Sequence, residues 1–301
     1  AVGYCSSLET VTLPASLREI ADNAFYFSGL RTVAFEENSV LAIIGSYAFR
    51  DNTSLVSLFI PETVEELGSS ILYNSNEATV QVADDTYSYD YAVKNRFKME
   101  VRPHSPRVKA SGACGQTAVW TLYDNGTLEI SGMGAIADYG YSKYGANAAP
   151  WALYREEIKT VVIGKDITVI GEFSFYQCTA LASLIFEEGS KLEVIGKGAV
   201  GYCSSLETVT LPASLREIAD NAFYFSGLRT VAFEENSVLA TIGSYAFRDN
   251  TSLETVYIPD GVTHIGSAIF YVCGENVTVY VANNSLAHQY AVKNGIHAVV
   301  R

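Results

Sequence analysis

The chain has 301 residues, 49% apolar and 18% charged, which excludes disorder and leaves ample side chain for a core. Its net charge of −13 excludes a nucleic-acid groove or an anionic membrane surface as partner, since both need basic stripes. No apolar run approaches the roughly 18 residues of a membrane-crossing helix, so this segment is expected to insert into no membrane.

The first 55 residues return as residues 199–253 with one change, Ile43 against Thr241. A shorter period runs inside the copy. One aliphatic slot is filled by Ile158, Leu181, Leu206, Leu228, Leu253 and Val277, and earlier by Leu8, Leu30, Leu55 and Ala78. Spacings of 22 to 25 residues predict a solenoid, in which each coil packs only on its neighbours. Ala1 to Cys5 copies the interior of a coil (Ala199 to Cys203), so the chain reads as a piece of something longer and carries no information on a leader.

In chain order, residues 1–102 read as a truncated repeat module, its last part, 83–102, a terminator with a short helix at Tyr91 to Asn95 and a strand at Phe97 to Val101. Residues 103–112, with Pro103 and Pro106 and no apolar period, read as a linker. Residues 113–157 read as a β-hairpin cap: Val119 to Tyr123, a turn at Asp124-Asn125-Gly126, then Leu128 to Ser131. Trp120 and Trp151 both fall in it and would cover the first open coil, while Tyr139 to Ala149 is a loop without an assigned place. Residues 158–282 form the second module and 283–301 repeat the terminator, with Tyr290 to Asn294 and Ala298 to Val300.

Within one coil, Thr208 to Leu211 alternates as a strand and Pro212 ends it by removing a ladder donor. Leu215 and Ile218 mark a short return, and Ala222-Phe223 is long enough only for a helical turn. The aromatic slot (Phe25, Phe49, Phe175, Phe223, Phe247, Phe270) predicts a stacked column. Glycine after the isoleucine, as in Ile242-Gly243, predicts a positive φ or a close backbone approach. The coils therefore build a β-rich solenoid with short helical turns, in two modules with a small β-hairpin cap between them.

The repeat pattern L-x-x-L-x-I-P-x-x-V-x-x-I-G-x-x-A-F-x-x-C resembles the BspA-type leucine-rich repeat of bacterial surface proteins, over residues 1–83 and 158–282. Cys114, Trp120-Thr-Leu, Gly126 to Gly134 and Pro150-Trp151 also resemble the segment that precedes such repeats in gut Firmicutes proteins. The resemblance implies that the fold class is a right-handed α/β leucine-rich-repeat solenoid. It also implies a secreted or wall-attached, extracellular protein whose partner is a host extracellular matrix protein, such as fibronectin or fibrinogen, or a glycan.

No catalytic constellation stands out, so no enzyme activity and no cofactor are expected. Gly196-Lys-Gly198-Ala-Val-Gly201 spells a dinucleotide motif inside one coil, where no long helix can follow it. His104, His264, His288 and His297 share no ligand spacing, so no metal site is expected. Paired carboxylates such as Glu234-Glu235 recur at a turn without a third ligand in phase and read as a solvated edge. Cys5, Cys178 and Cys203 stand three residues before the repeating leucine, and Cys273 near that slot; they read as small buried residues, though a Cys178–Cys203 bond is geometrically open.

The candidate site is the outward face of the main strands, a solenoid's concave face. One outward row is all Ser or Thr, from Thr160 to Thr278, and reads as a structural hydroxyl ladder. The other is apolar and aromatic: Val162, Ile185, Thr210, Tyr257 and Tyr280, with Phe59 in the first module. These six are the candidate ligand-binding residues. The alternative is a spacer or stalk that presents another domain of a longer protein, which near-perfect duplication would suit.

Overall fold

The computed structural model describes residues 2–75, 77–140, 148–274 and 277–301. The chain divides into two compact units, Ala1–Ser105 and Pro106–Arg301, each with its own core. Each is a β-solenoid.

In the first unit the main strands Thr10–Leu13, Thr32–Phe35, Ser57–Phe59, Thr79–Ala83 and Met99–Arg102 form one parallel sheet in chain order. The returns Glu19–Ile20, Ile43–Ile44 and Glu66–Leu67 form a second. In the second unit Thr208–Leu211, Thr230–Phe233, Thr255–Tyr257, Thr278–Val281 and His297–Val300 are likewise parallel and sequential. Thr160–Ile163 and Ser183–Phe186 continue a separate sheet with the hairpin strands. The copied blocks give the same elements, Thr10–Leu13 matching Thr208–Leu211, though Leu8 and Val11 are half-buried where Leu206 and Val209 are buried. The strand Thr10–Leu13 is the edge of its sheet, whereas other coils pack under Leu206.

Two sequence expectations are corrected. The first is the α/β class with helical turns: among the described residues, helix is confined to Tyr87–Lys94, Leu286–Lys293 and a 3-10 turn at Ala152–Tyr154. The Ala-Phe segments instead make a third hydrogen-bonded edge. Alternate amides donate to the next coil, Phe175 N to Ala199 O, Val200 N to Ala222 O and Phe223 N to Ala246 O, each at 2.8 Å. The donors on either side of Phe223 turn left-handed, Asn221 (φ 56), which donates to Ser244 O, and Phe225 (φ 54), which donates to Arg248 O, so helical i to i−4 bonds cannot propagate.

The second correction concerns the linker. Val108–Ala113 is a strand, paired antiparallel with Val119–Tyr123, which in turn pairs antiparallel with Thr127–Ser131. It escapes a search for apolar period because it is an edge strand, exposed on both faces except at Ala110 and held by its backbone. The hairpin turn sits at Gly126 (φ 87), and Thr127–Ser131 hands the sheet on to Thr160–Ile163 in parallel.

The core is a set of columns. Trp120 meets Trp151 edge-on at 5.8 Å, and Trp151 stacks on Phe175 at 5.6 Å. Phe223, Phe247 and Phe270 continue at 5.7 and 5.9 Å, with Val200 filling the intervening place. The Trp151 indole also donates to Ser174 O at 2.8 Å. The Ile-Gly glycine answers a close approach, not a positive φ: a Cβ at Gly243 would lie 2.5 Å from the Asp220 backbone nitrogen. Of the segment Tyr139 to Ala149, residues 141–147 lie outside the described residues. Tyr139 packs edge-on against Trp151 and its hydroxyl donates to Cys114 O.

The cysteine slot has a role that its small size does not disclose. Its side chain donates to the carbonyl that the preceding coil turns inward. Cys203 Sγ reaches Phe175 O at 3.2 Å, Ser226 Oγ reaches Val200 O at 2.6 Å, Asn250 Nδ2 reaches Phe223 O at 2.8 Å and Cys273 Sγ reaches Phe247 O at 3.0 Å. Ser28, Asn52 and Ser75 do the same for Val2, Phe25 and Phe49. A buried carbonyl without a partner is costly, which is why these seven coils keep a donor at this slot. All five cysteines are free thiols, with Cys5 exposed.

The late helices Tyr87–Lys94 and Leu286–Lys293 pack tyrosines on their cores, Tyr89 and Tyr91 in the first unit and Tyr290 in the second. Thr86 and Ser285 cap their helices by accepting from Tyr89 N and His288 N. Tyr91 hydroxyl donates to Gly68 O at 2.6 Å, and Tyr290 hydroxyl accepts from Ile269 N at 3.1 Å.

Candidate functional site

Strand pleating carries the outward row. In Thr255–Tyr257 and Thr278–Val281 the valines Val256 and Val279 are buried, so Tyr257 and Tyr280 point the other way. Parallel pairing in register sets Tyr257 against Tyr280, and their rings stack at 4.7 Å with 17° between planes. Such a pair presents a wide aromatic surface at little conformational cost.

The other candidates lie on the same face of their sheets. Val162 pairs in register with Ile185, which is 47% exposed. Thr210 pairs with Ala232. Ile185 and Thr210 belong to separate hydrogen-bonded sheets, yet both line one depression of about 330 Å³ together with Glu234. So five of the six candidates share the second unit's outward face, while Tyr257 and Tyr280 alone form a direct ring pair. Phe59 belongs to the first unit, where it pairs in register with Gln81. The hydroxyl row is also in register: Thr208, Thr230, Thr255 and Thr278 succeed one another.

Several residues at the site escape sequence reasoning. A groove of about 520 Å³ opens beside Tyr257, lined also by Phe233, Glu234, Glu235, Asp260 and Arg301. Glu234 is held there, its Oε2 accepting from Ala213 N at 2.9 Å. Arg301 Nη2 donates to Ile258 O at 3.3 Å and stands 3.9 Å from Asp260 Oδ1. The matching place in the first unit holds Arg102, whose guanidinium lies 5.0 Å over the Phe59 ring and 2.9 Å from Glu62 Oε1. The signal available was that both terminator copies end on arginine at the same repeat position.

Among the described residues no group of three or more His, Cys, Asp or Glu could hold a metal ion. Gly196 to Gly201 is turn, not the opening of a helix. Burial raises the thiols of Cys114 and Cys178 to about 12 and of Cys273 to about 11, which keeps them protonated. Arg155 is buried, and among the described residues none of its guanidinium nitrogens has a hydrogen-bond partner. Desolvation lowers its pKa from the ordinary arginine value, with Cys178, Tyr176 and Cys203 nearby.

The BspA type leucine rich repeat region matches residues 1–99 and 150–277 in 6 copies, well over half of the chain. The chain belongs to the BspA-type leucine-rich repeat family. No curated protein matches it. Among solved structures it is similar to the pneumococcal vaccine antigen PcpA, at 20% identity and a TM-score of 0.36, over 97% of this chain and 68% of that one. A leucine-rich repeat protein of Bacteroides ovatus is 18% identical with a TM-score of 0.36, over 100% and 74%. A leucine rich cell surface protein of Faecalibacterium prausnitzii is 17% identical with a TM-score of 0.33, over 96% of this chain and 63% of that chain. Among the described residues of this BspA-type chain, no helix is long and apolar enough to cross a membrane.

Proposed function

We propose that the chain is a non-catalytic, extracellular bacterial surface or secreted protein that binds a macromolecule, a host matrix protein or a glycan, through the outward strand face. The observation that carries the reading is the stacked Tyr257–Tyr280 pair on that face, in line with Thr210, Ile185 and Val162. Large rings held rigidly by a sheet make good contact anchors, because little side-chain freedom is lost on binding. In this reading 1–102 and 158–282 are right-handed repeat modules closed by C-terminal caps, and the hairpin segment covers the first coil of the second. Family membership supports the surface location.

The test is capture on a panel of immobilised matrix proteins and glycans. The Tyr257→Ala, Tyr280→Ala double variant is expected to lose capture while far-UV circular dichroism stays that of the parent chain. Undiminished capture removes the stripe as the binding face. A second reading, a spacer presenting another domain, draws on the near-identity of residues 1–55 and 199–253, since length can grow by duplication without new contacts. It requires that this chain capture nothing on the panel.

A further inference from the structure

We infer that the groove beside Tyr257 takes the arginine or lysine side chain of a basic peptide segment, with its cationic head over the Tyr257 ring and the carboxylates of Asp260 and Glu235 beside it. The inference rests on the strand-face reading above and names the chemistry of the partner at one end of that face.

The first unit displays the same recognition within the chain. Arg102 places its guanidinium 5.0 Å over Phe59 and pairs with Glu62 at 2.9 Å, so aromatic ring, carboxylate and cation complete one another. By repeat position beyond the copied block, Phe59 corresponds to Tyr257, Glu62 to Asp260 and Arg102 to Arg301. Arg301 does not take up that arrangement. It turns to the Ile258 carbonyl and stays 3.9 Å from Asp260, whose side chain is 69% exposed. Among the described residues no cation lies over Tyr257 or Tyr280. The second groove therefore keeps the ring and the carboxylate of the first without its seated cation, and it doubles the aromatic surface, because Tyr280 stands where the first unit has Gln81.

Charge favours the same occupant. Glu234, Glu235 and Asp260 face one arginine in the groove, so its walls carry a net negative charge within a chain of −13. A cation over an aromatic face gains most where a neighbouring carboxylate and partial burial accompany it. A groove of about 520 Å³ falls in the roughly 300–1,000 Å³ range of small-ligand sites, room for one long side chain and its backbone.

The experiment is fluorescence anisotropy of the full chain with a fluorescein-labelled Gly-Arg-Gly-Arg-Gly peptide and its citrulline counterpart, which keeps the shape without the charge. The arginine peptide is expected to bind and the citrulline peptide to bind at least about tenfold more weakly, with affinity falling as salt rises. Asp260→Asn with Glu235→Gln is expected to weaken the arginine peptide by about tenfold, and Tyr257→Ala by about fivefold. A control that removes the same charge elsewhere, Glu188→Gln with Glu217→Gln, is expected to leave binding within about twofold. Equal binding of the citrulline peptide overturns the inference. So does a control variant as weak as the groove variant, which would mean general attraction to an acidic protein. If the groove variant binds the peptide like the parent chain, the inference fails whatever happens to macromolecular capture by Tyr257→Ala, Tyr280→Ala, which tests the face itself.

Discussion

Asn250 is the residue whose removal most cleanly separates hydrogen bonding from packing in this solenoid. It is buried, and its Nδ2 donates to Phe223 O at 2.8 Å and Phe247 O at 2.7 Å, while Oδ1 accepts from Leu228 N at 3.3 Å. In Asn250→Ala the Phe247 carbonyl keeps its bond from Cys273 Sγ, but Phe223 O and Leu228 N lose the partners they have among the described residues. Two orphaned groups at about 1–3 kcal/mol each give an expected loss of about 2–6 kcal/mol. Asn250→Ser, which restores a donor as Ser226 does one coil earlier, is expected to recover part of it. Equilibrium urea unfolding reads the effect, followed by tryptophan fluorescence, because Trp120 and Trp151 both lie in the second unit. An Asn250→Ala chain within about 0.5 kcal/mol of the parent would refute the donor-slot reasoning, above all if Phe247→Ala in the same assay cost the ~3–5 kcal/mol of a buried aromatic.

Three further outcomes are expected. Arg155→Met replaces a buried guanidinium, without a hydrogen-bond partner among the described residues, with an apolar chain of similar length and should raise stability by about 1–3 kcal/mol in the same titration; a loss would mean that the charge has a partner. Val272 is β-branched at φ 52, where the first unit has Asn74 at φ 56, so Val272→Asn should stabilise by about 1 kcal/mol and shift the urea midpoint upward. The raised thiols of Cys114, Cys178 and Cys273 stay protonated in the fold, whereas unfolded thiols ionise near 9; stability is thus whole below pH 9 and declines toward pH 12 as only the unfolded chain gives up those protons. Urea titrations at pH 7 and pH 10 should show that fall, and replacing the three by serine should shrink it.

Much of this architecture was legible because the repeat multiplies each signal. One alternating strand such as Thr208 to Leu211 is ambiguous; the same alternation recurring through the chain, with Pro212 or Phe233 at its end, is a ladder. The two late helices were signalled by Tyr-Ala-Val-Lys-Asn twice over, though Tyr87–Lys94 and Leu286–Lys293 each begin a turn before that motif, and the hairpin by Asn125-Gly126. What failed had physical causes. The third edge looked like short helix because Ala-Phe and Asn are compatible with a helical turn, and only inter-coil amide bonds fix the alternating left-handed residues. Strand Val108–Ala113 was hidden because an edge strand exposed on both faces needs no apolar period. At the site, the aromatic stripe followed from pleating, but Asp260, Glu62, Arg102 and Arg301 did not: they meet the rings from a turn and from a terminator strand whose register no local pattern discloses.

The stacked coil with three hydrogen-bonded edges is tested most directly by hydrogen exchange resolved to single amides. The turn amides of Phe175, Val200, Phe223 and Phe247, which donate to Ala199, Ala222, Ala246 and Ile269, are expected to exchange as slowly as the strand amides of Val161 and Val231. Exchange of those four within seconds, beside protected strands, would contradict the account, because coils joined on two edges alone would leave them open to water.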